Sequence, residues 1–228
     1  MYLILFDIDG TLVLTGRAGW RAMNRACADI VGHDNAMAEV EFAGRTDWSI
    51  LADMMRNNSI PFDRPLLERL GRRYTAHLAE EIQLPGTGKK AVMPGIRPLL
   101  DALQRRDDVA LGLLTGNFVE GARIKLEYFD LWKYFPWGAF GGDSANRNDL
   151  VPVAIGRARE AGLAEVDPGR VIVIGDTPND VECARVVNAR PVAVATGGYT
   201  VEQLRQTGAD HVFPDLSDTA AFLELLDN

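Results

Sequence analysis

The feature that most constrains the fold is the alternation of short apolar runs with helical patterns. Apolar runs rich in β-branched residues predict strands at Tyr2 to Phe6, Val109 to Leu114, Val171 to Ile174, Val192 to Ala195 and His211 to Phe213. Segments with apolar residues three and four positions apart predict helices at Ile96 to Arg105, Val119 to Phe129, Leu150 to Ala161, Asp180 to Val187, Val201 to Thr207 and Thr219 to Leu226. This alternation predicts an α/β fold with a Rossmann-like parallel sheet flanked by helices, which binds ligands beyond the carboxyl ends of its strands.

The alternation is interrupted between about Thr15 and Met93, where no convincing strand occurs. The interruption instead predicts helices at Ala18 to Val31, Trp48 to Asn57 and Arg64 to Ile82. We therefore expect two domains. Residues 1–14 and 93–228 form the α/β core, and residues 15–92 form a helical domain inserted after the first strand.

Composition excludes several classes of partner. The net charge is -8 and no basic stripe is present, so neither nucleic acid nor a membrane surface is expected to bind. Cys27 and Cys183 have no metal-ligand spacing and predict two buried thiols in a reducing cytosol. The apolar N-terminus has no basic flank and is interrupted by Asp7 and Asp9, which argues against a signal peptide. We expect a cytoplasmic protein that is a monomer or a small homo-oligomer.

Two carboxylates mark the end of the first predicted strand. Asp7 and Asp9 stand two residues apart, before Gly10 and Thr11, and strand alternation would direct both acids to one side. Burying two unpaired acids is costly unless a cation shares them, typically a hard divalent metal with oxygen ligands. The alternative is that Asp9 and Gly10 form only a turn and that Asp7 is a solvated strand end.

Polar residues follow two further strands. Thr115-Gly116-Asn117 precedes a helix, where backbone N–H groups can hold an anion, although such residues also serve as ordinary turns and caps. Asp176 ends another strand, and Asp180 lies in the next helical turn, where it could simply complement the helix dipole. Arg147 also precedes a helix and, taken alone, would be a surface arginine beside an N-cap.

Taken in order, these motifs resemble those of the haloacid dehalogenase (HAD) superfamily of phosphohydrolases. The motifs are Asp7-Ile8-Asp9-Gly10-Thr11, Thr115-Gly116-Asn117, a basic residue and Gly175-Asp176-Thr177-Pro178-Asn179-Asp180. The resemblance covers the whole chain, because members with an α-helical (C1-type) cap show the same interruption after the first motif. The phosphoglycolate phosphatase-like members are the most similar in character.

The resemblance implies a Mg²⁺-dependent phosphatase that acts on a small phosphorylated metabolite. Asp7 would be the nucleophile and form an aspartyl phosphate, while Asp9 would donate and accept protons. Mg²⁺ would bind the side chain of Asp7, the backbone carbonyl of Asp9 and the side chain of Asp176. Asp180 would orient these ligands.

The resemblance also implies a cradle for the phosphoryl oxygens. Thr115 and the amides of Gly116 and Asn117 would hold these oxygens close to the turn at Gly10, and a cation would neutralise their charge.

Arg147 is the best candidate for that cation. Most relatives carry a lysine at this point, but no lysine occurs between Lys133 and the C-terminus. An arginine would bind phosphate with a fork rather than a point charge. Arg157 and Arg159 are poorer candidates further along the same predicted helix.

The inserted helical region is expected to select the substrate. Its segment 41–48 resembles a cap loop that faces the active site in this family, and Arg45 could meet an anionic group of the substrate. The same residues also fit a helix start with Thr46 or Asp47 as N-cap. Both interpretations can hold together.

Two other functions are compatible with these motifs. A phosphomutase similar to β-phosphoglucomutase would use the same groups and differ in what the cap admits after phosphoryl transfer. A non-catalytic phosphate-binding protein on this fold would usually have lost an acid, and none is missing here.

Overall fold

The structure is a computed structural model and describes residues 1–163 and 167–227. The strands are β1 (Tyr2–Phe6), β2 (Val13–Thr15), β3 (Lys90–Val92), β4 (Val109–Leu114), β5 (Gly138–Ala139), β6 (Val171–Gly175), β7 (Arg190–Val194) and β8 (His211–Phe213). The helices are α1 (Ala18–Val31), α2 (Asp47–Asn57), α3 (Arg64–Glu81), α4 (Ile96–Gln104), α5 (Val119–Tyr128), α6 (Leu150–Glu160), α7 (Pro178–Val186), α8 (Val201–Gln206) and α9 (Thr219–Asp227). Every strand and helix that the pattern predicted is present, with only small shifts at the ends.

Six strands of the described residues form one parallel sheet in the order β5-β4-β1-β6-β7-β8, which confirms the predicted α/β class. The central strand β1 pairs with β4 on one side and with β6 on the other. Phe6 of β1 is level with Leu113 of β4 and with Ile174 of β6. Because the carboxyl ends are aligned in this way, the residues that follow these three strands meet at one edge of the sheet.

Helices cover both faces of the sheet. Ile4 and Phe6 of β1 belong to one cluster of buried residues with α4, α5 and α9, whereas Leu3 and Leu5 belong to another with α6 and α7. All four side chains are fully buried. Since neither face of β1 meets water, its sequence is a continuous apolar run rather than an alternating one.

Helices α1, α2 and α3 pack around a separate cluster of buried residues. Met23, Met54 and Tyr74 come from the three helices, and Phe118 joins them from the turn before α5. The rings of Phe118 and Trp48 meet edge to face, with centroids 5.1 Å apart. Phe118 therefore connects this cluster to the edge of the sheet that carries the polar motifs.

The expectation that residues 15–93 hold no strand was wrong. β3 pairs antiparallel with β2, with Val13 opposite Val92. This ribbon joins the two connections between the sheet and the helical region, and Gly16 N donates to Lys89 O at 3.0 Å beside it. The sequence did not predict β2, β3 and β5, which have only two or three residues each, although it did predict the equally short β8 from its apolar run.

No helix in the described residues combines the length and the apolar character needed to cross a membrane. Cys27 and Cys183 are free and buried, as predicted. Burial raises the pKa of each thiol to about 12, so both are inert at neutral pH.

Candidate active site

The predicted site residues lie where the sheet register brings strand ends together. Asp7 directly follows β1, Thr115 directly follows β4 and Asp176 directly follows β6. Asp7 N donates to Ile174 O at 2.9 Å, which continues the β1–β6 pairing by one residue and holds the acid at the sheet edge. Asp7 is only 6% exposed, so it is not a solvated strand end.

Three carboxylates converge at this edge. Asp7, Asp176 and Asp180 are buried, and each offers an oxygen within 4.8 Å of the others. Burial raises the pKa of Asp7 to about 6, although the charge of Arg147 opposes the shift. Burial and the neighbouring acids also raise the pKa of Asp176 well above its ordinary value. The cluster therefore has more negative charge than the protein compensates, and its oxygens are the ligands that a hard divalent cation prefers.

Asp180 performs two tasks with its two oxygens. Its Oδ2 accepts hydrogen bonds from Thr177 N at 3.0 Å and from Thr177 Oγ1 at 2.6 Å, which caps the N-terminus of α7. Its Oδ1 accepts a hydrogen bond from Arg147 Nη2 at 2.5 Å. Asp180 therefore stabilises the start of α7, as one interpretation of the sequence predicted, and it also binds Arg147.

Arg147 is the cation of the acid cluster. It lies in a short 3-10 helix (Arg147–Asp149) and is only 7% exposed, so the surface interpretation was wrong. Its Nη2 lies 3.2 Å from Asp7 Oδ1, and its buried Nε has no hydrogen-bond partner in the described part of the chain. Burial acts to lower the pKa of Arg147, but the charges of Asp180 and Asp7 outweigh it and raise this pKa well above the ordinary value. Arg157, by contrast, pairs with Asp143.

Asp9 points away from the three buried acids. Its side chain is 45% exposed, and its Oδ2 accepts hydrogen bonds from Asn117 Nδ2 at 2.8 Å and from Lys125 Nζ at 2.6 Å. The carboxylate of Asp9 is not part of the cluster of Asp7, Asp176 and Asp180 whose oxygens could hold a metal ion. Any metal contact of Asp9 would therefore be made by the backbone carbonyl that the family resemblance implies.

Sequence reasoning missed Lys125. This lysine lies on α5, eight residues after Asn117, and its side chain is only 5% exposed. The sequence did offer one signal that Lys125 is unusual, which is its position on the predicted helix. Lys125 shares the buried face of α5 with Gly121, Ala122 and Leu126, where an apolar residue is ordinary.

Two glycines are required by close approaches in the site. Gly10 has a φ of +86°, and a Cβ there would lie 2.5 Å from Asp176 Oδ2. A Cβ at Gly116 would lie 1.9 Å from the backbone oxygen of Arg45. A side chain at Gly10 would strain the backbone and displace the Asp176 carboxylate, and one at Gly116 would require the backbone at Arg45 to move.

Residues of the Thr115-Gly116-Asn117 turn form hydrogen bonds with one another. Thr115 is fully buried, and its Oγ1 accepts from Asn117 Nδ2 at 2.8 Å and from Asn117 N at 3.3 Å. The Asn117 side chain thus links Thr115 to Asp9. Of the predicted anion-binding turn, Gly116 and Asn117 line the cavity described next, whereas the fully buried Thr115 does not.

A cavity of about 540 Å³ opens onto these residues. The predicted site residues that line it are Asp7, Asp9, Gly10, Arg45, Gly116, Asn117, Arg147 and Asp176. Lys125, Asp47 and Tyr74 also contribute to its wall. Nearly all of the predicted site is therefore in one place. Thr115 and Asp180 do not line the cavity, but each accepts a hydrogen bond from a residue that does.

The loop before α2 lies against the edge of the sheet. Asp47 N donates to Gly116 O at 2.7 Å, and Asp47 Oδ2 accepts from Phe118 N at 2.7 Å. Thr46 is the N-cap of α2, and its side chain accepts from Ser49 N at 3.2 Å, so the capping interpretation is correct. Burial raises the pKa of Asp47 to about 7, against the opposing charge of Lys125.

Arg45 faces the cavity from this loop but is not free. Its guanidinium forms an ion pair with Asp53 of α2, and its Nη2 donates to Ser49 O at 3.4 Å. The side chain remains 24% exposed. The helix start and the cavity-facing arginine thus coexist in one loop.

Comparison with known protein families identifies the class of protein to which this fold and site belong. The model of the haloacid dehalogenase-like hydrolases matches residues 1–188. The chain belongs to this family, which confirms the resemblance seen in its motifs.

Individual relatives resemble the chain over nearly its full length. It is 28% identical over 225 residues to the phosphoglycolate phosphatase of Rhodospirillum rubrum, covering 96% of this chain and 90% of the relative. CbbY from Rhodobacter sphaeroides, solved in complex with phosphate, superposes with a TM-score of 0.71 at 21% identity and 96% coverage of both chains. A β-phosphoglucomutase from Clostridium difficile superposes with a TM-score of 0.73 at 17% identity, covering 100% of this chain and 97% of the other. The two structures share the fold with this chain.

We predict that Asp7→Asn stabilises the metal-free protein at neutral pH. The pKa of Asp7 is about 6 in the folded state against an ordinary value of 3.8, so the folded state binds this proton more tightly than the unfolded state. The stabilising contribution of protonated Asp7 is present at low pH and is lost as the pH rises from about 4 to about 6. In a chelating buffer, denaturant unfolding should show a gain for Asp7→Asn near pH 8 that shrinks towards pH 4.

Asp34→Asn is the matched control, because Asp34 is exposed. It should change stability little at either pH. If Asp7→Asn were less stable than the wild type near pH 8, the conclusion that the acid cluster has more negative charge than the protein compensates would be wrong.

Proposed function

We propose that this chain is a Mg²⁺-dependent phosphatase that hydrolyses a small phosphorylated metabolite through an aspartyl phosphate on Asp7. The convergence of the buried Asp7, Asp176 and Asp180 beside Arg147 carries this proposal. The family makes the chain a hydrolase. Phosphoric monoesters as the substrate class are supported by relatives named phosphoglycolate phosphatase.

The chemistry proceeds in two displacements. A carboxylate oxygen of Asp7 attacks phosphorus, the bond from phosphorus to the leaving oxygen breaks, and Asp9 gives that oxygen a proton. Water then attacks the phosphorus of the aspartyl phosphate while Asp9 takes up its proton, and the bond to Asp7 breaks. Inorganic phosphate leaves, and both carboxyl groups return to their initial states.

The residues present fit a divalent cation. Asp7 and Asp176 would hold it together with the backbone carbonyl of Asp9, and Asp180 would orient the site through Arg147 and Thr177. When bound, Mg²⁺ supplies positive charge that offsets the phosphoryl oxygens. Arg147 adds a fixed charge beside Asp7, so its guanidinium can offset the negative charge of the phosphoryl oxygens.

We further propose that residues 15–92 act as a cap and that residues 1–14 and 93–228 form the catalytic core. The separate buried cluster of α1, α2 and α3 supports this division. The loop before α2 closes over the site through hydrogen bonds from Thr46 Oγ1 to Ala145 O at 2.9 Å and from Asn179 Nδ2 to Gly44 O at 3.0 Å. Closure of this kind excludes water and brings cap residues to the substrate.

The charges of the cavity wall support an anionic substrate. Arg17 and Lys89 line the cavity, and neither has a carboxylate partner among the described residues. Arg45 adds another cation to the wall, partly balanced by Asp53. The overall charge of -8 would repel an anion, so these local cations provide the attraction.

We expect hydrolysis of phosphomonoesters only when Mg²⁺ or a similar hard cation is present. Phosphate release from p-nitrophenyl phosphate and from a panel of phosphorylated metabolites, with and without a chelator, measures this. Asp7→Asn should reduce turnover by several orders of magnitude while remaining folded, because no covalent route is left.

Activity that survives exhaustive chelation would refute the metal requirement. Near-normal turnover in folded Asp7→Asn would refute the nucleophile. Isomerisation of a sugar phosphate without net phosphate release would instead identify a phosphomutase.

Arg147→Ala should lower kcat/KM by roughly 10²- to 10³-fold, the usual effect of losing one electrostatic stabiliser of the transition state. Arg147→Lys should recover part of this loss, because it restores the charge without the fork. Arg157→Ala is the control, since Arg157 pairs with Asp143 instead of the site acids. Normal kinetics in Arg147→Ala would show that another cation neutralises the phosphoryl group.

Arg45→Ala should raise KM for the best anionic metabolite and leave hydrolysis of p-nitrophenyl phosphate nearly unchanged. The aryl phosphate has no second anionic group to reach the cap. Arg56→Ala is the matched control, because Arg56 also pairs with Asp53 but is largely exposed and does not line the cavity. A proportional loss on both substrates would assign Arg45 to catalysis or to folding of the cap.

A further inference from the structure

Lys125 is the buried charge that the proposed chemistry leaves without a task. Its ammonium group lines the cavity yet is almost completely removed from water. Burying an ammonium group is costly, and an apolar residue would satisfy the same face of α5. The contacts of Lys125 must therefore explain why a charged residue occupies this buried position.

The contacts of Lys125 form a closed ring with Asp9 and Asn117. Lys125 Nζ donates to Asp9 Oδ2 at 2.6 Å and to Asn117 Oδ1 at 2.6 Å, while Asn117 Nδ2 donates to the same Asp9 oxygen at 2.8 Å. Each member is therefore held by the other two. Two donors fix one oxygen of Asp9, and Oδ1 makes no hydrogen bond to any described residue.

We propose that Lys125 is a positioning residue that holds Asp9 so that its free oxygen meets the leaving oxygen of the substrate. This inference rests on the proposed phosphatase function, in which Asp9 is the proton donor. Proton transfer requires hydrogen-bond reach between the two heavy atoms, and among the described residues Lys125 is the one charged partner that can fix the rotamer of the partly exposed Asp9. Lys125 acts through Asp9 and does not itself exchange a proton.

The surroundings keep Lys125 in place. Asp47 is buried nearby and its charge is partly balanced by that of Lys125. Tyr74 of α3 and Gly19 of α1 lie over the same group, since a Cβ at Gly19 would be 3.6 Å from Tyr74 Oη and 3.7 Å from Lys125 Nζ. The helical region thus covers the ring, so Lys125 also relates cap closure to the orientation of Asp9.

The test compares two substrates whose leaving groups differ in whether they must be protonated. p-Nitrophenolate leaves without a proton, whereas the alkoxide of an alkyl phosphate such as 2-phosphoglycolate needs one. Because kcat/KM reports only steps up to release of the leaving group, Lys125→Met should lower it about 10- to 100-fold for the best alkyl phosphate and much less for p-nitrophenyl phosphate. Lys133→Met, at an exposed lysine that pairs with Asp130, should change neither value.

A double-mutant cycle separates positioning from a merely structural role. If Lys125 acts through Asp9, adding Lys125→Met to Asp9→Asn should cause little further loss of kcat/KM. Lys125→Arg, which keeps charge and donors, should restore part of the alkyl activity. Melting curves of each variant show whether it is folded, and if Lys125→Met is not, Lys125→Arg and Asn117→Ala serve for the same comparison of leaving groups.

Each other result overturns the inference. Equal losses on both substrates would place Lys125 on the phosphoryl group, additive losses in the cycle would separate it from Asp9, and normal kinetics would leave it a structural residue. Wild-type protein that hydrolyses neither substrate with Mg²⁺ would instead refute the proposed function itself.

Discussion

The rest of the site depends on the burial of three carboxylates around one guanidinium. Asp7, Asp176 and Asp180 come from two adjacent strand ends and the first turn of a helix, and only Arg147 opposes their charge among the described side chains in contact with them. This arrangement costs stability, because burial raises the pKa of Asp7 and Asp176. Such an excess of buried negative charge is tolerable where a bound cation completes the site.

The two buried cations divide the site by role. Arg147 contacts Asp7 and Asp180, whereas Lys125 contacts Asp9 and Asn117. Two acids only two residues apart in sequence thus have different environments: Asp7 is buried among the clustered carboxylates, whereas the side chain of Asp9 is 45% exposed and pairs with Lys125. Different environments are what allow one carboxylate to act as nucleophile and the other as acid and base.

The helical region completes the cavity through backbone contacts as much as through side chains. Gly116 lets the backbone of Arg45 approach, and Asp47 N then donates to Gly116 O. A loop held this closely at the sheet edge presents its arginine to the cavity even though Asp53 shares its charge. In the proposed function, substrate selection would come from this loop and phosphoryl chemistry from the strand ends, which are different segments of the chain.

The sequence by itself determined the α/β fold, the positions of the main strands and helices, and most residues of the candidate site. These follow from local periodicity and from polar residues at strand ends, which parallel register brings to one edge. The short strands β2, β3 and β5 were decided by tertiary pairing, because β2 and β3 are strands only through pairing with each other and β5 only through pairing with β4. The same holds for the burial of Arg147, the ion pair of Arg45 and the ring formed by Lys125. The partners of a side chain across the fold depend on how distant segments pack together, and the sequence pattern of one segment does not predict that packing.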